Sequence, residues 1–440
     1  MKISVVGMGK LGAPLAACLA YKGFSVVGVD LNPTTVDLVN EGKAPVVEPG
    51  LDDLISSVRD RLSATQDYEI AVLGTDATFI IVPTPSESHG GFSVRFVLEA
   101  AEEIGRALRK KSSYHLVVLT STVLPGGTGE RLLPALEAAS GKKCGQDFGL
   151  CYNPEFIALG SVIRDMLNPD LVLIGESDKR AGAELEQIQR TLCDNTPRFA
   201  HMSFVNAELS KLAVNTFVTT KISYANMLAE VCERLPGASV DEVTSAIGLD
   251  SRIGRKYLKG ATAYGGPCFP RDNLAFAHLA REIGAQPILA EATHLTNLAQ
   301  VSRLTGIVES HLPEGGTVGI LGLAYKPGTP VAEESPGIKL AERLLKTGKR
   351  VVVYDPQANR AARSLLDGAA LFATSAVDCV SQSDVVVITT PWPEFSRTGA
   401  GLFSSAERAL VVVDCWRVLT PEELPDSVTY VAIGSGVSRG

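Results

Sequence analysis

The 440-residue chain has no excess of basic residues: 41 Lys and Arg stand against 49 Asp and Glu, a formal net charge of −8. That argues against a nucleic-acid partner, which needs a basic patch or stripe, while leaving room for a small anion held by local cations. None of the eight cysteines forms a Cys-x-x-Cys pair, so neither a disulfide framework nor a metal site is expected. Scattered thiols fit a reducing cytosol. No run of about 20 uninterrupted apolar residues is present, which excludes a membrane span. Met1–Gly7 runs from a strand-like segment straight into glycines, without the apolar stretch of a signal peptide. The expectation is a cytoplasmic protein. What is there is ordinary for a globular chain, 45% hydrophobic and 20% charged. The length exceeds one ordinary core and implies two or three domains.

Short apolar runs alternate with helical stretches in the first half. Lys2–Val6, Ser25–Asp30, Thr78–Val82, Leu116–Thr120 and Gly149–Tyr152 read as strands, and Pro14–Tyr21 as a helix. This pattern predicts a parallel sheet covered on both faces. From Phe204 to about Leu235 one long helical pattern lacks Pro and Gly, and more helices follow to about His311. Strands return at Thr317–Gly322, Arg350–Tyr354, Asp384–Thr389 and Leu410–Asp414. The fold class is α/β, then all-α, then α/β, with domains expected at 1–203, 204–311 and 312–440. The two α/β parts are not obvious repeats.

Gly7-Met8-Gly9-Lys10-Leu11-Gly12 follows the first strand and opens a helix. Glycines there permit a tight turn and close approach of a pyrophosphate, and the helix start offers free N–H groups to it. The second strand ends in Asp30, where a carboxylate would grip a ribose diol and repel the 2′-phosphate of NADP. NAD is therefore the expected cofactor. Gly319-Ile320-Leu321-Gly322 lacks that spacing; with Lys326 it reads either as a diphosphate-binding turn or as a plain strand–loop turn.

Tyr264-Gly265-Gly266-Pro267-Cys268-Phe269-Pro270-Arg271-Asp272 is the most informative stretch. Pro270 suits a first helical turn. Cys268 then lies just before a helix start, where the dipole favours thiolate, with Asp272 close by. A lone cysteine is more commonly buried and inert; this context favours a nucleophile. On the long helix Glu208, Lys211, Asn215 and Thr219 repeat every three or four residues. Such a stripe is usually a solvated face, but a short mixed one can point Lys211 and Asn215 into a cleft to stabilise an oxyanion. Ser121-Thr122 and Asn153-Pro154-Glu155-Phe156 follow strands, at the ends where α/β proteins bind ligands. Glu155 could act as general base or be an ordinary surface carboxylate.

Together these blocks resemble the UDP-glucose/GDP-mannose dehydrogenase family over nearly the whole chain. Further matches are Glu48-Pro49-Gly50-Leu51, Val82-Pro83-Thr84-Pro85, Ala207–Lys211 through Asn215, Arg252-Ile253-Gly254, Tyr325-Lys326, Tyr354-Asp355-Pro356 and Arg417-Val418-Leu419. The resemblance implies an N-terminal Rossmann NAD-binding domain, a central helical dimerisation region and a C-terminal Rossmann-like domain gripping the nucleotide of a sugar. It implies four-electron oxidation of the sugar C6 hydroxymethyl to a carboxylate, through a thiohemiacetal and a thioester on Cys268. Lys211 and Asn215 would steady the oxygen, and Thr122, Glu155 and Asp272 would handle water. Gly7, Gly9, Lys10, Leu11, Gly12, Asp30, Pro83, Thr84, Ser121 and Thr122 would meet NAD. The same carry-over gives Glu155, Phe156, Ile157, Gly160, Lys211, Asn215, Tyr257, Lys259, Gly265, Cys268, Lys326 and Arg417 as contacts to the nucleotide sugar. Arg252 would come from a neighbouring subunit of at least a homodimer.

The chain departs from the family pattern at three places. Leu159 replaces an acidic residue, Arg271 a lysine, and Glu333 an arginine that meets the cofactor in relatives. Leu159 bears on the sugar pocket, and Glu333 on cofactor affinity or domain closure. Sugar and base stay open, with UDP-glucose or a UDP-N-acetylhexosamine favoured. The competing readings are a two-electron hydroxyacid dehydrogenase of the 6-phosphogluconate type, which leaves Cys268 unexplained, and a silent nucleotide-sugar sensor, which predicts loss of Cys268 or Lys211.

Overall fold

The computed structural model describes residues 1–397, 399–404 and 409–436. The chain forms two compact units, Met1–Ala213 and Val214–Gly440. The long helix Phe204–Glu233 starts in the first and continues in the second.

The first unit is built on β1 (Lys2–Val6), β2 (Ser25–Val29), β3 (Leu62–Thr65), β4 (Ala77–Ile80), β5 (His115–Leu119), β6 (Phe148–Tyr152), β7 (Leu171–Glu176) and β8 (Arg198–Met202). They lie in the order β3-β2-β1-β4-β5-β6-β7-β8. All neighbours are parallel except β6 and β7. Strands β4, β5 and β6 are buried along their whole length, which is why they read as unbroken apolar runs. The one charged-type residue inside β5, His115, accepts or donates a hydrogen bond with Thr78 at 2.7 Å, and burial pushes its imidazole down to about 3, so it is neutral. Between β1 and β4 the strand order reverses direction, and ligands of such sheets bind at that crevice.

The second unit opens with the rest of the long helix and the helices Val240–Ile247, Phe269–Glu282 and Ile288–His311. Its sheet is β9 (Thr317–Leu321), β10 (Arg350–Tyr354), β11 (Leu371–Phe372), β12 (Val385–Ile388), β13 (Leu410–Asp414) and β14 (Val428–Ala432), all parallel, in the order β11-β10-β9-β12-β13-β14. The first six strands of the chain follow the same winding, so the two sheets repeat one topology without an obvious sequence repeat. The repetition reaches the glycine turn. Gly7 and Gly322 both take positive φ, +93° and +108°, and each donates its N–H to the last carbonyl of the second strand, Val29 or Tyr354. A Cβ at Gly12 would overlap the Gly7 carbonyl oxygen, and one at Gly337 that of Gly322. The second pair is separated by a longer loop, which hid the likeness in sequence. Asp355 stands where Asp30 does, but it is buried. Its carboxylate accepts from the backbone N–H of Leu323, Ala324, Gln357 and Ala358 and from the indole of Trp392.

The long helix buries a polar stripe beside Ala207, Leu212, Ala225 and Ala229 and leaves several large apolar residues outside. Glu208, Lys211, Asn215, Thr219, Ser223 and Asn226 are buried, whereas Val214, Phe217, Tyr224, Met227 and Val231 are exposed, Phe217 to 65%. No helix among the described residues is long and apolar enough to cross a membrane.

Candidate active site

In the first unit the Gly7–Gly12 turn fits a dinucleotide. A Cβ at Gly9 would meet nothing within 4 Å, leaving backbone open to a pyrophosphate. Lys10 is exposed and Leu11 half-buried beside it. Asp30 is fixed by the N–H groups of Met8 and Asn32, both at 2.9 Å, one to each oxygen. Two donors leave this carboxylate free acceptor capacity for ribose hydroxyls.

The loops after β4 and β5 are sewn together. Thr84 donates its hydroxyl to the Thr122 carbonyl at 2.7 Å, and Ser121 donates to the Val82 carbonyl at 2.6 Å; Pro83 is exposed between them. Lys211, nearly buried, donates to the Glu155 carbonyl at 2.7 Å and lies 4.7 Å from the centre of the Phe156 ring. Burial pushes the Glu155 carboxyl up to about 7, with the Lys211 charge pulling the other way. Glu48 accepts from the N–H groups of Gly160 and Val162, both at 2.8 Å, and so shapes the loop bearing Phe156, Ile157 and Gly160. Ile157 and Leu159 pack against the apolar core of this unit, which gives the Leu159 departure a local reason.

In the second unit Cys268 is exposed, while the other described cysteines are buried or half-buried. It precedes the helix Phe269–Glu282, with proline in the first turn, and its carbonyl accepts the Asp272 N–H at 2.8 Å. Asp272 is 1% exposed; its carboxylate accepts from Asn215 Nδ2 at 2.6 Å and from Arg271 Nε at 3.3 Å. Thus Arg271, the second departure, is turned onto Asp272. Its thiol is thus open to solvent at a helix start.

The segment leading to Cys268 is held by two buried asparagines that the sequence reading missed. Asn226 accepts from Ala261 N–H at 2.8 Å and donates to the Thr262 carbonyl at 2.9 Å; Asn297 does the same for Tyr264, at 2.8 and 3.0 Å. A signal for Asn226 existed: the polar stripe of the long helix continues past Thr219 through Ser223. Gly265 and Gly266 are needed for close packing. A Cβ on Gly265 would overlap the Glu334 carbonyl, and one on Gly266 would come within 2.7 Å of the Tyr325 ring. Gly266 N–H donates to the Glu333 carbonyl at 3.1 Å, so at the third departure the backbone makes this contact.

Other expected contacts are dispersed over the second unit. Tyr257, at φ +62°, sets its exposed ring edge-on to Phe269, centroids 6.2 Å apart. Lys259 is exposed and Lys326 half-buried. Arg252 is exposed and paired with Asp250 at 2.6 Å. Arg417, at φ +55°, spends every guanidinium N–H: on the Asp241 carboxylate and on the carbonyls of Gly260, Cys415 and Ile433. Here it is a brace. Among the described residues no cluster of His, Cys, Asp and Glu could hold a metal ion.

Models of the UDP-glucose/GDP-mannose dehydrogenase family match along the chain: the NAD binding domain over residues 1–193, the central domain over 205–299 and the UDP binding domain over 319–421. The chain is 38% identical over 427 residues to UDP-glucose 6-dehydrogenase AglM of Haloferax volcanii, covering 96% of this chain and 98% of that protein. It is also 38% identical over 359 residues to GDP-mannose 6-dehydrogenase of Pseudomonas aeruginosa, covering 81% of each. The structure of a UDP-glucose dehydrogenase from Pyrobaculum islandicum superposes with a TM-score of 0.89 at 35% identity, covering 99% of this chain and 98% of that one. With its glycine turn, its fixed Asp30 and these relatives, the chain belongs to the UDP-glucose/GDP-mannose dehydrogenase family and is an NAD-dependent nucleotide-sugar dehydrogenase.

Proposed function

We propose that the chain oxidises the C6 hydroxymethyl of a nucleotide sugar, preferably a UDP-sugar, to the uronate in two oxidations joined by a covalent bond to Cys268. The observation that carries this is an exposed cysteine at a helix start, with a buried Asp272 in that helix's first turn held by Asn215. The Gly7–Gly12 turn and Asp30 would hold NAD, two molecules in succession supplying one hydride acceptor for each oxidation; in the first, C6 gives up a hydride and its hydroxyl a proton, leaving the aldehyde. The Cys268 sulfur adds to the C6 aldehyde, forming a C–S bond while the former carbonyl oxygen takes a proton. Loss of a second hydride and of that proton leaves a thioester. Water adds to it, the C–S bond breaks, and carboxylate and thiolate separate. Lys211 and Asn215 stabilise the negative oxygen at each addition. Thr122, Asp272 and Glu155 hold and deprotonate the water; a carboxyl near 7 is a competent base at neutral pH.

Phe156, Ile157 and Gly160 serve the sugar side, and Tyr257, Lys259, Gly265 and Lys326 the nucleotide, which Arg417 reaches by exchanging Asp241 for it. Three of these rest on tense or tightly packed backbone, since Tyr257 and Arg417 have positive φ and Gly265 tolerates no Cβ. The exposed ridge of Phe217, Tyr224, Met227 and Val231, spaced seven, three and four apart, supports a homodimer through the long helix. Arg252 would then serve the neighbour's site.

The test is a panel of nucleotide sugars with NAD, counting NADH against limiting sugar. Two NADH per uronate is expected, and Cys268→Ala should form no uronate while still binding the nucleotide sugar. One NADH with free aldehyde would replace this reading by the two-electron one.

A further inference from the structure

A carboxylate cut off from water must find hydrogen-bond donors or lose its charge. Glu208 is fully buried on the long helix, three residues before Lys211. Its two oxygens accept from backbone N–H groups, Oε2 from Gly126 at 2.8 Å and Oε1 from Thr128 at 2.7 Å. Burial pushes its carboxyl up, and these donors hold it down. The two N–H groups open the turn Gly127–Leu132, wound as a rare π-helix behind Gly126 at φ +97°. Just upstream of Gly126 on the same strip of backbone are Ser121 and Thr122, already tied to the loop after β4. The strip is therefore held at one end by Thr84 and Ser121 and at the other by Glu208. Glu208 shares its helix with Lys211, whose amine is fixed on the Glu155 carbonyl.

We propose that Glu208 is a positioning residue: it sets the Thr122 strip against the helix bearing Lys211, and thereby where the water stands that opens the thioester. This rests on the role given above to Thr122. Losing a carboxylate that only capped a turn would lower stability and slow both oxidations and hydrolysis alike. A carboxylate that positions Thr122 acts on the hydrolytic step.

The experiment compares the full-length enzyme with Glu208→Gln, which keeps the shape but offers an amide nitrogen to one of the two N–H groups. Losing one such charge-assisted bond should slow hydrolysis about 10- to 100-fold. Rapid mixing with nucleotide sugar and NAD should give a burst of two NADH per site followed by slow turnover. Mass spectrometry of the quenched enzyme should find the uronyl group accumulated on Cys268. In a Thr122→Ala background the same substitution should cost less than about twofold, because both act on one step. Thr128→Pro deletes one donor N–H instead, and carries the comparison if Glu208→Gln does not fold. An unchanged turnover, a slowing without acyl build-up, or effects that multiply with Thr122→Ala would each overturn the proposal. If the unaltered enzyme never carries an acyl group on Cys268 at any quench time and releases one NADH, the covalent reading itself fails, and the role of Glu208 with it.

Discussion

Glu155 offers a test in which stability and chemistry report on the same proton. Its carboxyl is raised from 4.5 to about 7, first by burial and against the pull of Lys211. The folded state thus holds a proton that the unfolded chain has released. Stabilisation from the protonated form is complete below about pH 4.5 and is lost as the pH rises through 7. The rise from 4.5 to about 7 corresponds to at most about 3 kcal/mol, reduced by the solvent that reaches the group. Glu155→Gln removes the titration and leaves a neutral side chain of the same shape. Urea unfolding of both proteins, followed by a probe in the first unit, should show similar midpoints near pH 5 and a more stable variant near pH 8. The variant should also lose the acid limb near pH 7 in thioester hydrolysis. A stability difference that stays flat across this range would refute the burial argument and return Glu155 to the surface carboxylates.

Three further outcomes follow from the geometry. Asp30→Ala should weaken NAD and narrow the preference over NADP, read as the ratio of kcat/KM values; equal use of both cofactors by the unaltered enzyme would show that Asp30 does not meet the ribose. Phe217→Glu removes an apolar side chain worth about 2–3 kcal/mol in each copy and should weaken self-association at least about a hundredfold by sedimentation; an unchanged assembly would move the interface elsewhere. Arg417→Ala deletes a brace with five hydrogen bonds and should lower stability by about 2–4 kcal/mol. If it instead raises KM for the nucleotide sugar and leaves the melting temperature alone, Arg417 exchanges Asp241 for the substrate.

What could be read from sequence follows burial. Strands β1, β10 and β13 fall where their apolar runs do, residue for residue. Strands β3, β8, β11 and β14, which the apolar pattern does not mark, are the four sheet edges. Edge strands are covered less and so carry mixed sequences, such as Arg-Phe-Ala-His-Met in β8. Strand β7, apolar and next to the edge, is also absent from the expected strands, without such a reason. In the site, residues whose side chains carry chemistry announce themselves by motif: Gly7–Gly12, Cys268, Asp272. Glu48, Glu208, Asn226 and Asn297 act on backbone groups far away in sequence, and a partner that is a bare N–H or carbonyl has no letter in the sequence.

The repeated winding of the two sheets sets a problem of sorting, because the chain must not mistake one nucleotide for another. Asp30 and Asp355 occupy matching strand ends, yet an incoming ribose meets them differently. Asp30 has two donors and acceptor capacity to spare; Asp355 has five, a buried carboxylate with no vacancy. An adenosine that wandered into the second sheet would have to displace an indole and four amides to be recognised there. The same winding thus ends in two carboxylates of different capacity, one still open to ribose hydroxyls and one already saturated by the fold.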